Sequence, residues 1–412
     1  MPSLKPILQG TIAAALLSLS AVDSRAGGLE DLRVMSGLSP AGLALISAQV
    51  APEAVLPSSQ NKELFSDYRI RYIVKGRMDF KASPPTLTAE TGKVFNVTKY
   101  PLWLRLAQGR TVCVEAYARQ RDDTAELAIE KVLPPDALEG LEPSDKIRGL
   151  QRDPRLASRE GGTFKLDNIG WAMEHDGDGA IARDAEGNLI SVWHSGVRVD
   201  ASKLLNAYFV KKTALKPVRY GDHGMLMFTF APGGAVAPDG SETNSLVVSL
   251  DAYYNDPERM VYSPVDALRG RYQVYYSIQT SERYSELKFN YNEFGMPNDL
   301  VLVPYRLNLD RAELERLLEN AIAKATDNNK GEMYSLFYNS CANSALSLIN
   351  SAVNEDRKIK EGWLPELVYR TQATLPDTMA RLMVKRGLSG EALPDITKDN
   401  YLSYLEGLTA AE

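Results

Sequence analysis

The sequence predicts an α+β protein. Alternating, strand-type segments occupy residues 68–130 and 224–278. Amphipathic helical spacing begins after Asp310, and a second apolar helix opens at Cys341. Strands grouped ahead of helices are the pattern of that class.

From the N-terminus, residues 1–26 read as an export signal. Lys5 supplies a short basic region, Ile12 to Val22 is a modest apolar run, and Ser24-Arg-Ala26 offers small residues for cleavage after Ala26. The run is shorter than the roughly 20 apolar residues of a spanning helix. Charges, prolines or glycines interrupt every later candidate. The expectation is a soluble periplasmic protein with no integral membrane segment once the signal is removed. Residues 27 to about 60 are small, apolar and proline-containing, a lead-in of short helices or extended chain.

Tyr68–Val74, Val94–Thr98 and Val112–Tyr117 then alternate as strands. Leu133–Gly162, rich in Pro, Gly and charge, reads as a linker or surface excursion. Residues 27–160 are therefore assigned to a small β-containing domain and 161–412 to a second domain. In the second, Ala180–Asp184 and Leu189–Trp193 flank a turn and predict a hairpin. Gly224–Phe230, Leu246–Tyr254 and Arg271–Ile278 are further strands. Along the first of these, Gly224, Leu226, Phe228 and Phe230 share one face, and His223, Met225, Met227 and Thr229 the other. Asp310-Arg-Ala-Glu313 resembles a capping box, and Leu314, Leu317, Leu318, Ala321 and Ile322 follow on one helical face. Leu364–Leu388 continues as helices interrupted by Pro365 and Pro376.

Composition narrows the function. The chain has 412 residues, enough for about two domains. Its net charge is −6, or −7 after Lys5, Asp23 and Arg25 leave with the signal, and it has no basic run. That argues against nucleic acid as a partner. Gly-x-Ser-x-Gly, His-Glu-x-x-His and a phosphate-cradling glycine loop are all absent. Glu174-His-Asp-Gly-Asp-Gly-Ala-Ile181 resembles the start of a calcium loop. Ala185 stands where the bidentate Glu belongs, so a surface turn is expected instead. His175 and His194 have no partner at metal spacing, and no cofactor is expected.

The chemistry concentrates at Cys341. This thiol lies where a polar turn becomes an apolar helix, with Asn339 or Ser340 available as the cap. Partial positive charge and free N–H groups at a helix start favour thiolate. The alternatives are a small buried residue or half of a disulfide with Cys113, the other cysteine, which sits in a strand and reads as core. Of the three histidines, His223 begins the strand Gly224–Phe230 and can point toward a site at the sheet end. Taken alone, a single histidine is more often structural than catalytic.

Residues 216–352 resemble the periplasmic thiol-enzyme domain at the N-terminus of Lnb-type bacterial lipoprotein N-acyltransferases. Gly221-Asp-His223-Gly-Met-Leu is similar to the family's histidine element, with Asp222 inserted. Tyr334-Ser-Leu-Phe-Tyr-Asn339-Ser-Cys341 is similar to its cysteine element, with Ser340 where the family usually has Asn. The strand Val303–Leu309 and the helix after Asp310 match in kind and order. The resemblance implies a permuted NlpC-type, papain-like fold, an antiparallel sheet packed on helices. It further implies a Cys341 nucleophile, a His223 base and a thioester intermediate; Asn339 or Asn343 is available to take the place of the missing Asn. Ser249 and Asp251, on the next strand, are candidates to orient His223, whereas Asp222 should face the other way. The family's acyltransferases carry a membrane-spanning C-terminal part that has no counterpart here.

Three readings follow. The first is a periplasmic cysteine acyltransferase or hydrolase acting on an acyl or amide bond. The second is a cell-wall peptide amidase of the same fold, and the third a non-catalytic envelope binding protein. The expected partner is a lipid, lipoprotein or peptidoglycan-like envelope substrate.

Overall fold

The computed structural model of the protein describes residues 70–410 apart from 122–123, 139–150, 186, 188, 215–221, 254–266, 268–269, 291–299, 328, 336–337 and 360–374. The expected export signal, the lead-in to residue 60, Tyr68, Gly221 and the first part of Leu364–Leu388 lie outside the described residues. The described chain is a mixed, sheet-rich arrangement with helices, in agreement with an α+β class.

Five strands close a small barrel: β1 (Ile70–Asp79), β2 (Thr86–Ala89), β3 (Val94–Lys99), β4 (Thr111–Arg121) and β5 (Thr124–Leu133), in the order β1-β2-β3-β5-β4. All neighbours are antiparallel except β3 and β5. Alternate residues of these strands, including Met78, Leu87, Val114, Ala116 and Leu127, fill the interior. The strands read from sequence at 68–74, 94–98 and 112–117 are β1, β3 and β4.

The composition-based linker is partly a strand. β6 (Arg155–Glu160) pairs with β7 (Thr163–Asp167), so the boundary drawn at residue 160 falls inside a hairpin. The six side chains of β6 are all exposed, so the strand has no apolar alternation to betray it. This hairpin belongs to a second sheet with β10 (Val197–Asp200), β13 (Ala235–Val236) and β14 (Glu242–Thr243), in the order β14-β13-β10-β7-β6.

The third sheet carries the site. It contains β8 (Ile169–Met173), β9 (Ser191–His194), β11 (Leu204–Ala214), β12 (His223–Phe230), β15 (Ser245–Tyr253), β16 (Gln273–Thr280), β17 (Leu300–Leu307) and β18 (Ser389–Ala392), ordered β18-β17-β11-β12-β15-β16-β8-β9. The predicted hairpin at 180–193 closes at Arg183↔Leu189, but its second arm then leaves to pair with β8.

Helices cover both faces of this sheet. Leu226, Phe228 and Phe230 pack in one core with α2 (Arg311–Thr326), α3 (Cys341–Ala352) and α4 (Pro376–Lys385); α1 (Ser281–Asn290) precedes these in the chain. Met225 and Met227 face another cluster that holds Tyr284 of α1 and Leu405 of α5 (Tyr401–Ala410). The alternation read along β12 is thus the division between two cores. α2 starts as its sequence predicts: Asp310 accepts the Glu313 amide, and the Glu313 carboxylate accepts the Asp310 amide. Its buried stripe is Leu314, Leu317, Leu318, Ala321 and Ile322, each leucine or isoleucine adding about 1.5–3 kcal/mol on full burial.

One extended segment joins barrel to sheet. The Ile73 amide donates to the Gly331 carbonyl at 2.8 Å, and the Met333 amide to the Arg71 carbonyl at 2.9 Å. On its other side the Val274 amide donates to Glu332 O at 2.9 Å, and the Tyr334 amide to Tyr272 O at 2.8 Å. Gly331 turns into this segment at φ +82°, where an added Cβ would lie 2.0 Å from the Ile73 carbonyl oxygen. Gly331→Ala should therefore cost more than about 2 kcal/mol in urea denaturation and speed hydrogen exchange at the Ile73 and Met333 amides. Unchanged stability and exchange would show that the junction tolerates displacement.

Candidate active site

Cys341 is the first residue of α3, and Ser340, not Asn339, caps the helix. The Ser340 hydroxyl accepts the Asn343 amide at 3.3 Å and donates to Asn343 Oδ1 at 2.7 Å. The Ser340 amide donates back to Asn343 Oδ1 at 3.4 Å. The departure from the family's usual Asn is therefore a reciprocal cap, for which serine is well suited.

Both cysteines are free and buried, so the disulfide alternative fails. Cys113 lies in a separate small cluster with Ile73, Leu138 and Met333, as its core reading expected.

The Gly224 amide donates to Cys341 Sγ at 3.5 Å. A thiol 118 residues further along the chain is thus seated on the residue next to His223. Glycine at 224 fits the packing of β12, since an added Cβ would meet the Phe209 ring at 2.9 Å. The site opens where two strands part. β12 and β15 pair from Thr229↔Ser245 to Leu226↔Val248, and the ladder ends there while both strands run on. A small recess, partly open to solvent, occupies the gap. Cys341 and Ser249 both line it, with Leu226, Val248, Leu250 and Leu348 as apolar walls.

His223 keeps 14% of its side-chain surface exposed. Its Nε2 lies 2.7 Å from Ser249 Oγ and 3.5 Å from Asp251 Oδ1. Both orienting candidates are therefore in place, two residues apart on one face of β15. A carboxylate only accepts, so Nε2 is assigned as the protonated nitrogen and Nδ1 as the basic one. Asp222 acts electrostatically on Lys211 and Tyr305.

The thiol does not rest as the thiolate that a helix start favours. Burial pushes the Cys341 pKa up and outweighs the pull of the Gly224 and Ala342 amides, while the charge of Asp251 adds to the rise.

Asn339 serves a different neighbour. Its Nδ2 donates to Glu332 Oε1 at 2.9 Å and to the Met333 carbonyl at 3.1 Å, so its side-chain contacts hold the turn before Cys341. Glu332 has no exposed surface. It also accepts the Tyr72 hydroxyl at 2.6 Å and Lys324 Nζ at 3.0 Å. Lys324 in turn lies 5.2 Å from the centre of the Tyr276 ring, whose hydroxyl is 3.3 Å from Ser344 Oγ. Burial opposes ionisation of Glu332, but Lys324 and the hydrogen bonds of Tyr72, Lys324 and Asn339 prevail and hold its carboxyl below the usual range. Sequence reading missed this cluster. Its one local sign is an acid, Glu332, at the head of an otherwise acid-free, aromatic segment that leads to Cys341.

The remaining histidines sit elsewhere. His175 pairs with Glu286, and His194 lies 3.5 Å from Asp239. The 174–181 loop is a turn in which Asp176 accepts the Asp178 and Ala180 amides.

Residues 197–374 match the family model of the Lnb N-terminal periplasmic domain. The match begins at β10 and contains His223, Ser249, Asp251, Asn339 and Cys341, while the barrel precedes it. Comparisons with curated proteins and with solved structures found no match. The family's periplasmic description supports an envelope location. Among the described residues no helix is long and apolar enough to cross a membrane.

Glu332→Gln leaves Lys324 beside a neutral partner. Breaking a buried pair costs about 3–5 kcal/mol; Lys324 keeps 30% of its side chain exposed, so about 3 kcal/mol is expected in urea denaturation at neutral pH. A lowered carboxyl pKa stabilises fully above the ordinary glutamate value of about 4.3 and loses that effect as pH falls through its folded value. The gap between wild type and variant should therefore close in acid. A constant gap across that range would refute the charge-based account.

Proposed function

We propose that Cys341 and His223 form the dyad of a periplasmic thiol acyltransferase or hydrolase that cleaves an acyl or amide bond through a thioester. The observation that carries this reading is the Gly224 amide on Cys341 Sγ, one residue from a histidine whose Nε2 is held by Ser249. Histidine before cysteine, a strand start and a helix start support the permuted NlpC-type, papain-like arrangement. Export by cleavage after Ala26 is part of this proposal.

The proposed steps are these. His223 Nδ1 takes the Sγ proton as sulfur attacks the carbonyl carbon, forming the C–S bond. Backbone N–H groups at the α3 start stabilise the oxyanion. His223 then gives its proton to the leaving alcohol or amine as that bond breaks, leaving the thioester. Water or an acceptor amine, deprotonated by His223, attacks the thioester, and the thiol is regenerated with its proton. Ser249 and Asp251 hold the ring and stabilise its cation, and Asn339 is a positioning residue for the cysteine turn.

Incubation with a p-nitrophenyl acyl ester should produce one hydroxylamine-sensitive adduct, located at Cys341 by peptide mass. Cys341→Ser should abolish it, and His223→Ala should slow its formation by about 100-fold or more. Adducts confined to Cys113, or rates indifferent to His223→Ala, would sink the reading. Because burial raises the thiol pKa, iodoacetamide alkylation of Cys341 should have its midpoint above the ordinary thiol value of about 8.5. A midpoint below that would mean that His223 keeps a preformed thiolate.

A further inference from the structure

We propose that the outer pole of the barrel is a docking surface for an anionic phospholipid membrane. The 3-10 turn Leu102–Ala107 connects β3 to β4. Leu104 is fully buried and anchors it, whereas Leu102, Trp103 and Leu106 are 75%, 58% and 82% exposed. Among the described residues six large apolar side chains are exposed, and three of them fall in this single turn. Scattered surface apolar residues are ordinary, but such a cluster marks an interaction site.

Charge selects the occupant. Between Glu90 and Glu115 the chain carries Lys93, Lys99, Arg105 and Arg110 and no acid, in a protein of net charge −6. Lys93 is paired with Asp327, while Lys99, Arg105 and Arg110 are exposed about the turn. Asp79, the acid nearest the turn, accepts from Gln108 Nε2 and the Lys81 amide. Arg105 Nε donates to the Tyr100 hydroxyl at 3.1 Å, and Tyr100 packs on Phe80 with ring centres 5.1 Å apart. An exposed apolar turn that includes Trp103, with Tyr100 and cations beside it, suits insertion between headgroups, where indole sits well and cations meet phosphates.

The backbone is also prepared. Leu104 N, Gln108 N and Arg110 N donate to the Pro101, Arg105 and Ala107 carbonyls, so the turn is closed by its own hydrogen bonds. The Gly109 amide on Met78 O and the Met78 amide on Arg110 O seat it at the far end of β1. The junction with the sheet lies at Arg71–Ile73, about 20 Å back along that strand. Docking therefore leaves the junction uncovered.

The proposal is independent of the thiol chemistry and is tested with full-length Cys341→Ser protein by flotation with phosphatidylcholine vesicles containing phosphatidylglycerol, against phosphatidylcholine alone. The protein should float with the anionic vesicles, less at high salt, and little with the neutral ones. Leu102→Ser/Trp103→Ser/Leu106→Ser, with its melting temperature unchanged, should lower partitioning by about tenfold or more. Lys99→Glu/Arg105→Glu/Arg110→Glu should do the same at low salt. The proposal is overturned if wild type stays in the soluble fraction, if either triple variant floats equally, or if neutral vesicles bind as well. A wild-type dimer in sedimentation that the apolar variant loses would reassign the patch to a second copy. Failure of the thiol assay leaves these outcomes unaffected.

Discussion

A carboxylate without solvent must have its charge answered by protein, and Glu332 is answered from three directions. Tyr72 comes from the barrel strand β1, Lys324 from the end of α2, and Asn339 from the turn that delivers Cys341. A buried ion left without partners costs several kcal/mol. The native state that satisfies Glu332 is therefore one in which barrel, helix and turn are all in register. The same residue's backbone is a ladder rung: the Val274 amide donates to its carbonyl, and its neighbours Gly331 and Met333 pair with β1. Side-chain charge and main-chain pairing thus fix the same segment, with Glu332 nine residues before the thiol.

At the site two opposing effects meet. A helix start and two amides draw Cys341 toward thiolate, while burial of the thiol resists it and raises its pKa. In the proposed reaction, proton transfer to His223 therefore accompanies attack by sulfur rather than preceding it. The arrangement also separates supply from support. β12 brings the histidine and the Gly224 amide, β15 brings Ser249 and Asp251, and the recess lies in the split between them. Pairing those strands to their ends would leave no space for the sulfur.

The family domain and the barrel divide the molecule's surface chemistry. The matched residues contain every group of the proposed dyad, and the exposed apolar turn lies outside them. The rigid β1 ladder connects the two, since it carries the turn at one end and the Glu332 junction at the other.

Much of this was legible locally. The α2 cap and its buried stripe, the two-sided alternation of β12, and a helix opening at Cys341 all depend on neighbours within a few residues, where side-chain spacing is the controlling variable. The boundary drawn near residue 160 falls within the β6–β7 hairpin, which the sequence did not reveal because β6 is exposed throughout. Asn339 was named for the site, yet its amide answers a carboxylate rather than the thiol, a choice set by a charge that local sequence does not reveal. By itself the sequence determined which residues are able to do chemistry and the periodicity of the elements that hold them. Only the tertiary structure decided which groups share a space, that burial keeps the thiol protonated, and that barrel and sheet close on one buried carboxylate. Those outcomes depend on desolvation and on contacts between residues far apart in the chain, such as Tyr72 and Glu332 at 260 positions, which no local pattern encodes.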